Sequence, residues 1–290
     1  MTSAWGRQPV GIVGLGLIGG SLGLDLRAKG LEVRALVHRD STAERARQRG
    51  LADAVGTDPA VLQGCGLIVL ALPLDRLLDP DSSLRQALPA EAVLTDVGSV
   101  KQPVLERWGH WHPRFVASHP MAGTAQAGVE AGLEGLFAGR PWVATPATAP
   151  LPATDPEALE LVRQLALAVG ADWLCCDAAA HDQAVALISH MPVLVSAALL
   201  QTADRSGSAA GAAELVRRLA SSGFADTSRI GGGNPELGTL MARCNRDAVL
   251  RGLADYRAQL EALEGLVQQE QWGALQDALS QCQALRPQFL

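Results

Sequence analysis

The chain has 290 residues and a formal net charge of −6, and 48% of its residues are hydrophobic and 19% charged. This length accommodates two domains, and the composition is that of a globular protein, which excludes an intrinsically disordered chain. The negative net charge argues against nucleic acid as the main partner, because phosphate binding requires a basic face.

The first half of the chain alternates strand-length apolar runs with helical patterns. This alternation predicts an α/β fold of the Rossmann type, in which helices cover both faces of a mostly parallel sheet. The predicted strands are Val10–Val13, Val33–Val37, Leu67–Leu72, Val93–Thr95, Phe115–Ala117 and Trp142–Thr145, and the predicted crossover helices are Gly20–Lys29 and Thr42–Arg49.

The second half changes character after one more helix and strand, at Glu157–Val169 and Asp172–Cys176, which would extend the sheet. From His181 onward the strand signals vanish and an all-α region begins. Its predicted helices are Leu187–Leu200, Ala210–Ser221 and Leu237–Gln259.

An apolar stripe marks the last predicted helical region, because large apolar residues recur there at spacings of three and four. They are Leu250, Leu253, Tyr256, Leu260, Leu263 and Val267. Such a stripe needs a partner, which is either a second subunit or another part of the same chain.

The cysteines and the apolar segments predict a cytoplasmic protein. Five cysteines without a CxxC spacing are typical of reduced thiols, with no disulfide framework and no metal site. Neighbouring Cys175 and Cys176 are interpreted as core thiols at a strand end, with a redox pair as the alternative. Met1–Pro9 has no apolar signal core, and polar residues interrupt the apolar run Ala184–Leu200, so neither export nor a membrane span is expected.

A glycine-rich turn follows the first predicted strand and opens a helix, at Gly14, Leu15, Gly16, Leu17, Ile18 and Gly19. In this context the GxGxxG pattern predicts a dinucleotide site: the glycines allow a tight turn, a close approach of the pyrophosphate and close helix packing. Free N–H groups at the helix start would bind the phosphates. A purely structural glycine turn is the alternative.

The end of the second strand indicates which dinucleotide binds. NAD enzymes place an acidic residue there, but if this strand ends at Val37 the position belongs to His38, followed by Arg39, Asp40 and Ser41. A guanidinium suits a 2′-phosphate, so NADP is favoured. A two-residue shift of the strand end would instead place Asp40 on the ribose.

His119 follows a predicted strand, at the sheet edge where open parallel sheets bind ligands, and Ser99 follows the neighbouring strand. An imidazole beside a nicotinamide can accept the hydroxyl proton when an alcohol is oxidised, and a serine hydroxyl could orient the ring. Spacing alone leaves a structural histidine equally open.

Six motifs in order carry a resemblance that spans nearly the whole chain. They are Gly14–Gly19, Asp96–Lys101 (DVGSVK), Ser118–Gly123 (SHPMAG), His181–Ala184 (HDQA), Ser189–Pro192 (SHMP) and Ser222–Asn234 (SGFADTSRIGGGN). Together they resemble the prephenate/arogenate dehydrogenase family of tyrosine biosynthesis. The run Gly231–Gly238 is most similar to the cyanobacterial-type arogenate dehydrogenases.

The resemblance implies a nucleotide-binding domain at residues 1–177 and a helical substrate and dimerisation domain at residues 178–290. It implies oxidative decarboxylation of a cyclohexadienol, with His119 as the catalytic histidine and Ser99 holding it near the nicotinamide. It further implies that His190 and Arg229 bind the substrate, the arginine through a carboxylate.

Three other functions compare with that of an arogenate dehydrogenase. Prephenate differs from arogenate only in its side chain, and the residues alone do not distinguish the two. A β-hydroxyacid dehydrogenase would need a lysine in the helical half, and the chain has none after Lys101. A non-catalytic NADPH sensor would keep the glycine turn but lack Ser99, His119 and Arg229 as a set.

Overall fold

The computed structural model describes residues 8–124 and 126–289. Residues 1 and 290, where the two predicted domains begin and end, lie outside the described residues, and so does most of the segment before Pro9. Within them, eight strands form one sheet. The strands are β1 (Val10–Val13), β2 (Val33–Leu36), β3 (Ala54–Gly56), β4 (Leu67–Leu70), β5 (Val93–Asp96), β6 (Phe115–Pro120), β7 (Pro141–Thr145) and β8 (Asp172–Cys175).

The strand order is β3-β2-β1-β4-β5-β6-β7-β8, and every neighbouring pair is parallel except β6 and β7. The fold is therefore a Rossmann-type, mostly parallel sheet, whose strand order reverses between β1 and β4. Six helices accompany it: α1 (Leu17–Ala28), α2 (Asp40–Gln48), α3 (Leu74–Leu78), α4 (Ser82–Ala87), α5 (Gln102–Gly109) and α6 (Pro156–Ala168).

Two apolar layers enclose the sheet because successive residues of each strand point to opposite faces. Ile12 and Val69 pack in one layer, while Leu70 and Leu94 pack in the other. Since helices cover both faces, these central strands are apolar throughout.

Two differences from the predicted strands are larger than a shift of one or two residues at a strand end. β3 was not predicted, because a three-residue edge strand shows too little periodicity. The strand predicted at Phe115–Ala117 extends to Pro120, because antiparallel β7 pairs with its last four residues, His119 opposite Val143. His119 therefore lies inside the strand, near its carboxyl end, and not after it.

The region after β8 is entirely helical within the described residues. Its helices are α7 (Ala178–Val185), α8 (Met191–Ala209), α9 (Ala213–Leu219), α10 (Ser222–Ser228), α11 (Pro235–Cys244), α12 (Arg246–Gln268) and α13 (Trp272–Leu285). A π-helical turn, Ala186–His190, joins α7 to α8. The helix predicted at Leu237–Gln259 is two helices, which meet at Asn245.

The continuous helical segment Ala178–Ala209 is long and apolar enough to cross a membrane by length and composition alone. However, His181, Asp182 and His190 on its first half are buried against the rest of the protein. This contact pattern is that of a core helix whose remaining apolar surface is uncovered in a single chain.

Cys175 corrects the expectation of two core thiols, because it is exposed at the end of β8, and Cys176 is only partly buried.

Candidate functional site

The glycine turn between β1 and α1 has the shape that a dinucleotide requires. Gly14 adopts a φ of +94°, and a Cβ there would overlap the carbonyl oxygen of Ala71. A Cβ on Gly19 would overlap the carbonyl oxygen of Gly14, whereas Gly16 faces open space. No side chain caps α1, so the N–H groups of its first turn are available for phosphates. These residues fit a pyrophosphate.

The residues after β2 form an exposed polar segment that contains one cation, Arg39. The strand ends at Leu36, and His38, Arg39 and Ser41 are exposed where α2 begins. Asp40 lies in the first turn of α2, where its carboxylate accepts a hydrogen bond from the Thr57 hydroxyl at 2.9 Å. The strand end is thus not shifted toward Asp40.

A chain of hydrogen bonds connects His119 on β6 to the start of α5. Nδ1 of His119 lies 3.0 Å from Nε2 of His181, and Nδ1 of His181 lies 2.8 Å from Oδ1 of Asp182. The backbone N–H groups of Lys101 and Gln102 donate to the two carboxylate oxygens of Asp182 at 2.7 and 2.9 Å. His119 is half-buried, and its two partners on α7 are buried.

Ser99 occupies the loop between β5 and α5, and its Oγ is buried without a hydrogen-bond partner among the described residues. We expected this hydroxyl to hold His119, but the structure pairs Nδ1 of His119 with His181 instead. The pairing with His181 could not be predicted from the sequence, because His181 lies 62 residues from His119 and only the fold brings them together.

A buried ion pair fixes the loop that carries Ser99. The Lys101 ammonium donates to the carboxylate of Asp96 and to the carbonyl oxygen of Ser118, the latter at 2.7 Å. Asp96 also accepts from the backbone N–H groups of Gly98 and Ser118, at 2.8 and 3.1 Å. Burial raises the pKa of Asp96 and lowers that of Lys101, opposed in both cases by the partner's charge.

The electrostatics around His119 keep its ring neutral. Burial is the largest cause of its pKa lying well below the usual value, and the positive charge of Lys101 lowers it further, followed by His181 and His190. A neutral imidazole at this position can accept a proton.

His190 is buried, and Asn245 determines which of its nitrogens carries the proton. The Asn245 amide nitrogen donates to the carbonyl oxygen of Asp182 at 2.7 Å, which identifies it as the donor, and it lies 3.2 Å from Nδ1 of His190. Burial lowers the pKa of His190 to about 4, so the ring is neutral with its proton on Nε2. That buried N–H has no partner among the described residues. An oxygen of a ligand could accept it.

Arg229 lies at the end of α10, where its side chain is exposed and outside the buried histidine cluster. The backbone around it is anchored by the hydroxyl of Ser196, which donates to the carbonyl oxygen of Thr227 at 2.9 Å and accepts from the N–H of Gly231 at 2.8 Å. A Cβ on Gly231 would overlap the backbone of α8, so glycine is required for this close approach.

Sequence reasoning assigned no role to three members of the site: His181, Asp182 and Asn245. The His-Asp pair was visible as part of a motif, but nothing in its spacing indicated a contact with His119.

Among the described residues, no group of three or more His, Cys, Asp or Glu side chains is placed to hold a metal ion.

Comparison with family models covers almost the whole chain. A model described as the nucleotide-binding domain of prephenate dehydrogenase matches residues 22–174, and one described as its dimerization domain matches residues 177–281.

Individual relatives agree with the family models. The crystal structure of Synechocystis arogenate dehydrogenase is 42% identical, with a TM-score of 0.81, and the match covers 97% of this chain and 100% of that chain. Prephenate dehydrogenase from A. aeolicus, crystallised with hydroxyphenyl propionate and NAD+, is 25% identical, with a TM-score of 0.85 and coverages of 99% and 100%. Prephenate dehydrogenase of Bacillus subtilis is 29% identical over 91% of this chain and 71% of its own length.

Proposed function

Because the chain belongs to the prephenate dehydrogenase family, we propose that it is an NADP-dependent arogenate dehydrogenase, which converts L-arogenate into L-tyrosine by oxidation and decarboxylation. The observation that carries the proposal is the position of His119, which lies near the carboxyl end of β6, at the sheet edge that binds ligands in parallel folds, with its Nδ1 paired to His181. The choice of arogenate is supported by the 42% identity to the Synechocystis enzyme, compared with 25% and 29% for the two prephenate dehydrogenases.

The site residues divide the reaction among them. The nicotinamide, when bound, supplies the hydride acceptor. His119 accepts the proton of the substrate's ring hydroxyl, a contribution that is typically about 10²–10⁴-fold in rate. The ring carboxylate leaves as carbon dioxide, and the electrons of the broken C–C bond pass through the ring to the ketone oxygen. That oxygen becomes the phenol and recovers the proton from His119.

Three other residues bind and orient the reactants. His190 donates its Nε2 proton to a substrate oxygen, which satisfies an N–H that is otherwise buried alone. Arg229 binds a substrate carboxylate through two parallel hydrogen bonds. Ser99, whose buried hydroxyl has no partner among the described residues, is assigned to the nicotinamide side of the site.

The preference for NADP is attributed to the segment that follows β2. Arg39 is exposed at the start of α2 and can pair with the 2′-phosphate, while His38 and Ser41 offer further polar contacts. One carboxylate oxygen of the neighbouring Asp40 is already engaged by the Thr57 hydroxyl.

Replacing Arg39 tests this assignment. Loss of a hydrogen-bonded charge costs about 1.5–3 kcal/mol, so Arg39→Ala should raise the KM for NADP roughly 10–100-fold and leave the KM for NAD nearly unchanged. Arg45→Ala, on the exposed face of the same helix, is the matched control. Equal effects on the two coenzymes would contradict an interaction with the 2′-phosphate.

A homodimer in the cytoplasm completes the proposal. The second family model carries the description of a dimerization domain. The stripe on α12 is left largely exposed by the single chain: Leu260 is 52% and Val267 49% exposed. The cysteines are free, as expected in a reducing compartment.

The decisive assay measures reduced coenzyme formed with arogenate or prephenate and with NADP or NAD. Arogenate with NADP should have the highest kcat/KM of the four pairs, and His119→Asn should lower its kcat at least about 10²-fold. Faster oxidation of prephenate would make the protein a prephenate dehydrogenase, and a preference for NAD would refute the cofactor assignment. Coenzyme binding without turnover of either substrate would indicate the non-catalytic NADPH sensor.

A further inference from the structure

We propose that His181 and Asp182 are positioning residues for His119: they hold its proton on Nδ1, turn Nε2 into the acceptor for the substrate's proton, and share the positive charge that then forms. The proposal rests on the proposed function, because it takes His119 as the base.

The proton positions follow from which groups can only donate. The backbone N–H groups of Lys101 and Gln102 are donors, so both oxygens of Asp182 act as acceptors. Nδ1 of His181 lies against the same carboxylate, so it carries a proton and donates it. In a neutral ring the opposite nitrogen then has none, and Nε2 of His181 must accept from Nδ1 of His119. The remaining nitrogen of His119, Nε2, is left with its lone pair.

The opposite arrangement is unfavourable. With the proton on Nε2 of His119, two lone pairs would face each other across the 3.0 Å gap to His181 unless the latter were charged. A charge on His119 is opposed by its burial and by the positive charge of Lys101, whereas a charge on His181 would be stabilised by the carboxylate of Asp182. Lys101 is salt-bridged to Asp96, and the neutral ring of His190 adds no charge. Among the neutral arrangements, the one with the proton on Nδ1 of His119 therefore dominates before substrate binds.

The same contacts stabilise the charge formed during the reaction. When Nε2 of His119 takes up the substrate's proton, the proton on Nδ1 can shift toward His181, whose other nitrogen is already bonded to the carboxylate of Asp182. The carboxylate thereby raises the basicity of His119 against the surrounding desolvation. The N–H groups at the start of α5 hold that carboxylate in place.

Two variants of His181 separate orientation from charge sharing. In His181→Gln, the side-chain oxygen can accept from Nδ1 of His119 but cannot take up a proton, so the orientation is kept and the charge sharing is lost. In His181→Leu, both are lost. The exposed His110 provides the control His110→Gln.

The measurement is kcat against pH with both substrates saturating. A weaker base protonates at lower pH, so the acid limb of His181→Gln should move down by about one pH unit and its plateau should fall about 10-fold. His181→Leu should lose at least about 10²-fold, and His110→Gln should match the wild type. A kcat that falls equally at every pH, with the acid limb unmoved in His181→Gln, would mean a merely structural role and overturn the proposal.

Nitrogen-15 NMR of the histidine rings tests the orientation without turnover, and so distinguishes failure of this proposal from failure of the proposed function. In the substrate-free wild type, His119 should be neutral with its proton on Nδ1. A proton on Nε2 would overturn the proposed role of His181 and Asp182, even in an active arogenate dehydrogenase. An Nδ1–H tautomer in a protein without turnover would leave the orientation correct and refute the proposed function.

Discussion

The two domains bury apolar surface to very different extents. In the sheet domain, Ile12, Ile68, Val69 and Leu94 are completely buried, and helices cover both faces of the strands. In the helical domain, the apolar cluster built from buried residues alone is small: Ala186, Ala248 and Val249. Most of its large apolar side chains on α12 and α13 face solvent in the single chain.

This difference in burial separates the residues whose position depends on one chain from those whose position depends on a partner. The proposed base, His119, lies on a strand of a core that one chain completes by itself, so its position does not depend on a partner. The proposed substrate groups, His190 and Arg229, lie in a domain that one chain leaves partly uncovered. We therefore expect damage to the sheet domain to be independent of protein concentration and damage to the helical surface to depend on it.

The largest expected effect comes from breaking the buried ion pair of the sheet domain. Lys101→Met leaves the carboxylate of Asp96 buried without its cation, which typically costs about 3–5 kcal/mol of the free energy of unfolding. Urea denaturation at several protein concentrations measures the loss, which should not vary with concentration.

Two further variants control this result. Lys29→Met removes the only other lysine, an exposed one, and should change stability by less than about 0.5 kcal/mol. Adding Asp96→Asn to Lys101→Met removes the uncompensated charge and should recover part of the loss. A double variant less stable than Lys101→Met would show that the pair's charges are not the cause.

Disrupting the stripe on α12 should have the next largest effect. Leu260→Glu places two charges in the proposed symmetric interface and should cost about 2–4 kcal/mol, raising the dimer dissociation constant roughly 30–1,000-fold. Sedimentation velocity across a dilution series measures the constant, and Gln259→Glu on the same helix is the matched charge control. An unchanged constant would place the dimer contact elsewhere.

Replacing Arg229 or His119 compares the contributions of the helical domain and the sheet domain to KM and kcat. Arg229→Gln removes the charge proposed to bind a substrate carboxylate, which makes no part of the histidine cluster, so the KM for arogenate should rise about 10–100-fold while kcat changes little. His119→Asn should show the reverse pattern. Arg218→Gln, exposed on α9, is the control. A fall in kcat with unchanged KM would move Arg229 from substrate binding to the chemical step.

The sequence predicts the sheet domain better than the helical one because the sheet domain buries its apolar residues more completely. Completely buried parallel strands are continuous apolar runs between turn residues, so β1 was predicted with its exact bounds and β4 and β5 nearly so. The partly exposed helices carry weaker patterns, and the break at Asn245 was missed because its side chain bonds to a helix that lies far away in the sequence.

The site residues also differ in how far the sequence predicts them. The glycine turn and the position of His119 near the carboxyl end of a strand depend on local order along the chain, and both could be predicted, although the strand extends past His119. The partner of His119 could not, since an apparently suitable hydroxyl at Ser99 lies closer in sequence than His181. Only the docking of α7 onto the sheet domain selects between them.

The smallest effect concerns α11, where the two domains touch. Asn234 caps this helix by accepting hydrogen bonds from the N–H groups of Glu236 and Leu237, at 2.9 and 3.2 Å. On the same helix, Leu240 packs into the core layer of the sheet domain with Leu77. Asn234→Ala should therefore cost about 1 kcal/mol, whereas Asn234→Asp should keep the cap and the stability. Hydrogen exchange of the α11 amides should rise in the alanine variant and not in the aspartate variant. Equal protection in both would mean that packing of Leu240, and not the cap, holds the helix where the domains meet.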